Sequence, residues 1–256
     1  MDYKINDPIL IFDSGVGGIS VLREMVKVMP HEDFVFFGDS VNSPYGTKPR
    51  DVVQKLTITN VKRFLDKGIK GCAIACNTAT SAAVSEMREI FPDLPLVGIE
   101  PAVKPAVEKH PGGRILVLAT PITIEGDKLK RQIDLYKEKA EIIPLACPGL
   151  MEFVEGGHTD SPELMDYLEN LLKDYIENPV DAFVTGCTHY PFVAKQIQKV
   201  LGGAECFDGA NGTARELARR LGEAGLLKES GEGSVRFFSS DESEAKIEQC
   251  EKLFKM

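Results

Sequence analysis

A chain of 256 residues with 43% hydrophobic and 27% charged content has the composition of an ordinary folded protein, which excludes disordered, collagen-like and disulfide-scaffold classes. Its 30 Lys+Arg against 39 Asp+Glu give a net charge of −9, so neither a nucleic acid nor an anionic membrane, each of which needs a cationic stripe, is an expected partner. One large or two small domains fit this length, with about two-thirds or more of the unfolded surface buried.

Met1-Asp2-Tyr3-Lys4-Ile5 leads straight into a strand-like run and not into the apolar region of a signal peptide. No run approaches the roughly 18 apolar residues of a membrane span, so a cytoplasmic location is expected. Thiols stay reduced there, and the six cysteines are read as core residues, metal ligands or reactive thiols. The longest basic cluster, Lys128-Leu129-Lys130-Arg131, is read as a solvated helix face.

Ile9-Leu10-Ile11-Phe12 predicts a strand ending at Asp13-Ser14-Gly15-Val16-Gly17-Gly18, after which Ile19, Leu22, Met25, Val26 and Met29 recur at helical spacing. Phe34-Val35-Phe36-Phe37 predicts a second strand, and Val53, Leu56, Val61, Phe64 and Leu65 a second helix. Cys72-Ala73-Ile74-Ala75 is a third strand, followed by a helix through Val84, Met87 and Phe91 and a fourth strand, Leu96-Val97-Gly98-Ile99. Uninterrupted apolar strands mean burial on both faces, as in a parallel sheet covered by helices.

The pattern then restarts. Arg114-Ile115-Leu116-Val117-Leu118 into Ala119-Thr120-Pro121 matches the first strand and its turn. Glu141-Ile142-Ile143-Pro144-Leu145 matches the second strand, and Ala182-Phe183-Val184-Thr185-Gly186-Cys187-Thr188 matches the segment through Cys76-Asn77-Thr78. Three landmarks in one order, roughly 106 to 111 residues apart, predict an α/β protein of two similar lobes related by pseudo-symmetry, each a mostly parallel sheet flanked by helices. Thr213 and Glu216 fit a capping box opening a helix after Asp208. A strand at Val235-Arg236-Phe237-Phe238 and a helix from Glu244 to Phe254 then return to the first lobe. The expected lobes are residues 1–98 with 208–256, carrying Cys76, and 99–207, carrying Cys187.

Cys76 and Cys187 each sit where a buried strand ends and a helix is expected to begin, the side of an open α/β sheet that forms its ligand crevice. Backbone amides and a helix dipole there favour a thiolate. Each thiol has polar company: Asn77 and Thr78 follow Cys76, Thr188 and His189 follow Cys187. Cys72 is the internal control, about 13 Å back along the strand from Cys76 and expected to be buried and inert. That separation, with no second Cys pair, argues against structural zinc. Cys147 falls in a strand-end context, and Cys206 and Cys250 are read as packing residues.

The Gly-rich turn lacks the Gly-x-Gly-x-x-Gly order and the P-loop Lys-Ser/Thr, so nucleotide binding is a weak reading. Its amides suit a small anion such as a carboxylate. Asp13 is expected either to orient or deprotonate a neighbouring thiol or to cap the first helix, and the roles can coexist. Pro44-Tyr45-Gly46 signals a turn at the carboxyl end of the second strand.

Together these segments resemble the cofactor-independent aspartate/glutamate racemase family, and within it the glutamate racemases. The resemblance is carried by Phe12 to Gly18, Gly38-Asp39 with Pro44-Tyr45-Gly46-Thr47-Lys48, Ala75-Cys76-Asn77-Thr78-Ala79, Gly98-Ile99-Glu100-Pro101-Ala102-Val103-Lys104-Pro105, Ala146-Cys147-Pro148 with Val154-Glu155, and Gly186-Cys187-Thr188-His189-Tyr190-Pro191, in family order. It implies interconversion of L- and D-glutamate for the peptidoglycan cell wall, without pyridoxal phosphate or metal, by a homodimeric enzyme of two lobes with the active site between them. By motif position Cys76 and Cys187 resemble the catalytic thiols, Asp13 and His189 their assisting residues, and Glu155 the acidic residue near His189. Ser14, Pro44, Tyr45, Gly46, Asn77, Thr78, Thr120, Thr123 and Thr188 are similar to substrate-binding positions, as are Asp13, Cys76, Cys187 and His189.

The chain departs from the family pattern at Asn42, where Arg is common, at Ala119, where Gly is common, across Glu125-Gly126-Asp127-Lys128-Leu129, where Ser and Tyr are frequent, and at Glu152, where Pro is usual. These departures bear on substrate fit, oligomer contacts and regulation. The short leader before Asp13 lacks the extension that resembles an activator-binding element in some relatives, so no activation by a cell-wall precursor is expected. Alternatives stay open at this level: a racemase of another amino acid such as aspartate, a thiol hydrolase using Cys187 and His189, or an amino-acid-binding module without turnover.

Overall fold

The structure, a computed structural model, describes residues 3–256; Met1 and Asp2, where the reading of the amino terminus starts, lie outside the described residues. Two compact units divide the chain: one runs to Ile99 and resumes over Ala210–Met256, the other is Glu100–Gly209. In chain order the first unit lays down β1 (Ile9–Asp13), α1 (Ile19–Val28), β2 (Asp33–Gly38), α2 (Arg50–Leu65), β3 (Gly71–Ile74), α3 (Asn77–Ile90) and β4 (Leu96–Gly98). The second follows with α4 (Val103–Lys109), β5 (Arg114–Ala119), α5 (Pro121–Glu125), α6 (Asp127–Tyr136), β6 (Glu141–Ala146), α7 (Leu150–Glu155), α8 (Pro162–Leu171), α9 (Lys173–Glu177), β7 (Ala182–Gly186), α10 (Ala194–Val200) and β8 (Glu205–Asp208). The chain returns to the first unit with α11 (Ala210–Glu223), β9 (Ser234–Ser239) and α12 (Glu244–Lys255).

Every strand pairing is parallel, in the orders β4-β3-β1-β2-β9 and β6-β5-β7-β8. Reversed, the second order sets β5 to β8 against β1 to β4 one for one, so the repeat read from the sequence is a repeat of topology. β9 has no counterpart in the second unit. The central β1 is buried at every position, and each large apolar side chain so placed contributes about 1.5–3 kcal/mol. Phe37 joins this core through ring contacts with Phe12 at 6.2 Å and Phe64 at 5.2 Å. Pro144, which cannot donate to a ladder, lies in β6 at the sheet edge, the position a strand proline tolerates.

The return segment is packed in. α11 lies on α1 and β4, and α12 on α1 and β9, with Phe237 and Phe254 edge to face at 5.7 Å. The expected capping box does not form. α11 begins at Ala210, so Thr213 is already inside it, and the Glu216 carboxylate is drawn forward to Arg219 and Arg220 at 2.8 Å. The basic cluster of α6 also differs from a solvated face: Leu129 is buried and Lys128 pairs with Glu100 at 3.1 Å, leaving Lys130 and Arg131 exposed. Among the described residues no helix is long and apolar enough to cross a membrane.

One ionic contact of the first unit is out of water altogether. Lys70 Nζ lies 2.6 Å from Glu32 Oε2, with both side chains 0% exposed, and donates to the Ile5 carbonyl. Glu32 Oε1 accepts the Lys228 amide at 2.8 Å, while Lys228 Nζ meets Asp33 at 2.6 Å. The leader, the starts of β2 and β3 and the returning chain are thereby tied to one buried pair.

Candidate active site

In the first unit the chemistry gathers at the carboxyl ends of β1, β2 and β3. β3 ends at Ile74, and Cys76 is the N-cap of α3, its sulfur accepting the Ala79 amide at 3.4 Å. Ser14 Oγ, in the turn after β1, is 3.3 Å from that sulfur. A thiol at a helix N-terminus with a hydroxyl and an amide around it sits where a thiolate is favoured. Asp13 is not the helix cap; Gly18 occupies that position without a side-chain bond. Asp13 Oδ1 instead accepts the Gly15 amide at 2.9 Å, so that amide serves the turn and is not offered to an anion. Gly18 is required by close approach, since a Cβ there would stand 2.6 Å from Asp13 Cβ and 3.0 Å from Ala75 Cβ.

Asn77, 3% exposed, follows the thiol, and neither polar atom of its side chain has a hydrogen-bond partner. Buried amides are rarely left so, and a site for a polar ligand is one explanation for such a pair. Thr78 is buried beside it. Pro44, Tyr45 and Gly46 lie beyond β2, with Tyr45 buried and its hydroxyl donating to Asp39 Oδ2 at 2.6 Å. Burial, reinforced by Asp39, holds that phenol above its ordinary pKa, so it remains a hydrogen-bond donor. Asp39 also accepts from the amides of Asn42, at 3.0 and 3.2 Å, and Asn60, at 3.1 Å.

In the second unit β7 ends at Gly186 and Cys187 follows. The chain here differs from the expectation of a helix starting at the thiol: a 3₁₀ turn, Tyr190–Val193, comes first and α10 opens only at Ala194. The polar support comes from side chains. His189 Nδ1 is 3.6 Å from the Cys187 sulfur and Nε2 is 2.8 Å from Glu155 Oε1, at the end of α7. Burial alone pulls the imidazole pKa down, but the thiol and the carboxylate outweigh it and hold His189 well above its ordinary value. The line carboxylate, imidazolium, thiol can therefore hold a proton next to sulfur or stabilise a thiolate. Thr188 is buried in the same turn, and Thr120 caps α5 through its Thr123 partner, with the hydroxyls 3.0 Å apart.

The other thiols are differently placed. Burial raises the pKa of Cys72, which is 0% exposed, and pushes Cys147 and Cys206 up to about 12. Cys250 is buried on α12. Among the described residues no group of three or more His, Cys, Asp or Glu is placed to hold a metal ion.

Residues 17–217 match the family described as Asp/Glu/hydantoin racemase. The chain belongs to that family. It is thus an enzyme, an isomerase of the racemase type. A glutamate racemase of Clostridium botulinum (strain Okra / Type B1) is 46% identical to this racemase over 256 residues, covering 99% of both chains. Among solved structures, the glutamate racemase of Thermus thermophilus in complex with β-chloro-D-alanine is 33% identical with a TM-score of 0.80, over 98% of this chain and 94% of that one. The Francisella tularensis enzyme in complex with D-glutamate is 28% identical with a TM-score of 0.84, over 98% and 95%.

Two features beside these strand ends escape sequence reasoning. Buried Asp39 and Asn60 and half-buried Asn42 form one polar cluster at the Tyr45 hydroxyl, yet Asn60 lies mid-helix with nothing in its neighbours to mark it. Tyr190 closes the Cys187 turn, its amide bonding Cys187 O at 3.1 Å and its hydroxyl bonding Cys147 O at 3.2 Å. Its place in the motif after His189 was the available signal.

Proposed function

We propose that this enzyme interconverts L- and D-glutamate by a two-thiol acid/base reaction, with Cys76 and Cys187 as its two acid/base groups. Inverting a stereocentre requires a proton removed on one face and another delivered on the other. The observation that carries the reading is that topologically equivalent strand ends, after β3 and after β7, each bear a thiol with polar support. One cysteine enters as thiolate and the other as thiol, and the roles exchange with substrate handedness. His189 and Glu155 serve the Cys187 side, Ser14 and Asp13 the Cys76 side. Asn77, Thr78, Thr120, Thr123 and Thr188 supply donors that bind the substrate and stabilise charge developing beside its carboxylate, and the turn Pro44-Tyr45-Gly46 shapes the site around it. The glutamate specificity is supported by relatives named glutamate racemase.

The same reading places the enzyme in the cytoplasm as a homodimer, needing neither pyridoxal phosphate nor metal and supplying D-glutamate for peptidoglycan. A thiol hydrolase would use Cys187, His189 and Glu155 equally well, but it leaves Cys76 and its partners without work.

The test is racemisation of L-glutamate followed by optical rotation without added cofactor, with L-aspartate in parallel. Cys76→Ala and Cys187→Ala are each expected to abolish turnover, and residual exchange of the α-proton with solvent deuterium to depend on substrate handedness. Full activity in either single variant sinks the two-thiol reaction, and faster turnover of aspartate sinks the substrate assignment.

A further inference from the structure

A groove of about 500 Å³ runs along α2 within the first unit, inside the range of about 300–1,000 Å³ of small-molecule sites. Cys76 is not among its lining residues, and three features give it a chemistry. Its wall is apolar, formed by Leu56 and by Val52, which is 39% exposed. Lys55 and Arg63, eight residues apart on the helix and so about 12 Å apart along its axis, both line it. Among the described residues neither cation has an acidic partner within ion-pair distance, although the chain carries a net charge of −9. At its inner end stand Asn42 and Asn60, the two amides that hold Asp39, whose Oδ2 in turn holds the Tyr45 hydroxyl at 2.6 Å.

We propose that this groove binds a small amphipathic organic anion, and that its occupancy is transmitted through Asn42, Asn60 and Asp39 to Tyr45. An inorganic ion gains nothing from Val52 and Leu56, and a cation is repelled by Lys55 and Arg63. An anion drawing an asparagine N–H to itself strips a donor from Asp39. The carboxylate, with fewer donors, holds the one Tyr45 hydroxyl proton more firmly and draws the Pro44-Tyr45-Gly46 turn with it, away from the substrate. The sign of the coupling is therefore inhibitory, acting on KM more than on kcat.

The second half of this inference rests on the racemase reading of Tyr45; the first half does not, and the experiment separates them. The probe is 2-naphthoate, followed by its own fluorescence in a chain that has no Trp. The full-length protein is expected to bind it saturably, and neutral 2-naphthol and inorganic phosphate more weakly. In Lys55→Glu/Arg63→Glu the Kd should rise at least about tenfold, as expected when two charge contacts are reversed, while racemisation without probe stays at the wild-type rate. Lys55→Gln/Arg63→Gln is the milder pair should the first fold poorly. Saturating probe should raise the KM for glutamate about fivefold in the wild type, within the usual range of coupling between sites, and leave it unchanged in the double variant. An unchanged Kd in a folded double variant, or no saturable binding to the wild type, overturns the site. Binding that the double variant loses but that leaves KM unmoved overturns the link to Tyr45.

Discussion

Lys70→Met should unfold the first unit far more readily than a surface substitution does. In the native state Lys70 Nζ is 2.6 Å from Glu32, and both side chains are wholly excluded from water. Methionine keeps most of the volume and removes the charge, leaving a buried carboxylate with the Lys228 amide on one oxygen. Stranding one member of such a pair costs about 3–5 kcal/mol. The Ile5 carbonyl adds little, because Ile5 is 45% exposed and water can replace the ammonium. For a unit of roughly 150 residues, an unfolding entropy of about 0.3 kcal/mol per degree turns that loss into a fall in Tm of about 10–16 °C. Calorimetry is the appropriate assay, since two units need not melt in one transition. Lys70→Met/Glu32→Leu should recover most of the loss, because an apolar replacement of both partners removes the stranded charge. Glu32→Leu alone should be least harmful at high pH, since burial already lowers the Lys70 pKa and a neutral amine is tolerated there. A loss below about 1 kcal/mol for Lys70→Met, or a double variant no better than the single, refutes the reasoning.

Three further outcomes are expected. Glu155→Gln should lower the His189 pKa, read from imidazole shifts in an NMR titration, because the carboxylate is one of the two groups holding it up; stability conferred by that raised pKa is present at low pH and fades as pH rises through it, so the variant should be destabilised in mild acid and recover in alkali. Asn77→Ala should leave the melting temperature unchanged or higher, as it deletes two unsatisfied buried polar atoms, yet lower kcat/KM for glutamate at least about tenfold, equivalent to about 1.4 kcal/mol of lost binding; wild-type kinetics would remove Asn77 from the site. Cys72→Ala should keep full activity at a stability cost of about 1 kcal/mol for the lost sulfur, and inactivity without unfolding would overturn its role as the inert thiol.

The architecture was legible because parallel strands buried on both faces leave unbroken apolar runs, and the lobe repeat because equivalent strands carry equivalent turns. Cys76 and Cys187 were legible from position: each follows a buried strand and precedes polar residues. What escaped is what depends on distance in space. Nothing around Lys70 in the sequence announces that it meets Glu32, 38 residues earlier, in a dry interior. Asn60 reads as one more polar residue of an amphipathic helix until it is seen donating to Asp39. Thr213 misled because a capping signature is local, whereas the start of α11 is set by where β8 releases the chain.

The interrupted first unit also sets an order of events during synthesis. By the time the ribosome has delivered Gly209, all four strands of the second sheet exist, but β2 still presents a bare edge that only Ser234–Ser239 will fill. At about 5–20 residues per second, the roughly 200 residues between the two strands occupy about 10–40 s. Through that interval a strand rich in phenylalanine can pair with any neighbouring nascent chain. A transcript truncated between these two landmarks would then yield a product with one sheet complete and the other open to aggregation, so the last strand made closes the sheet that was started first.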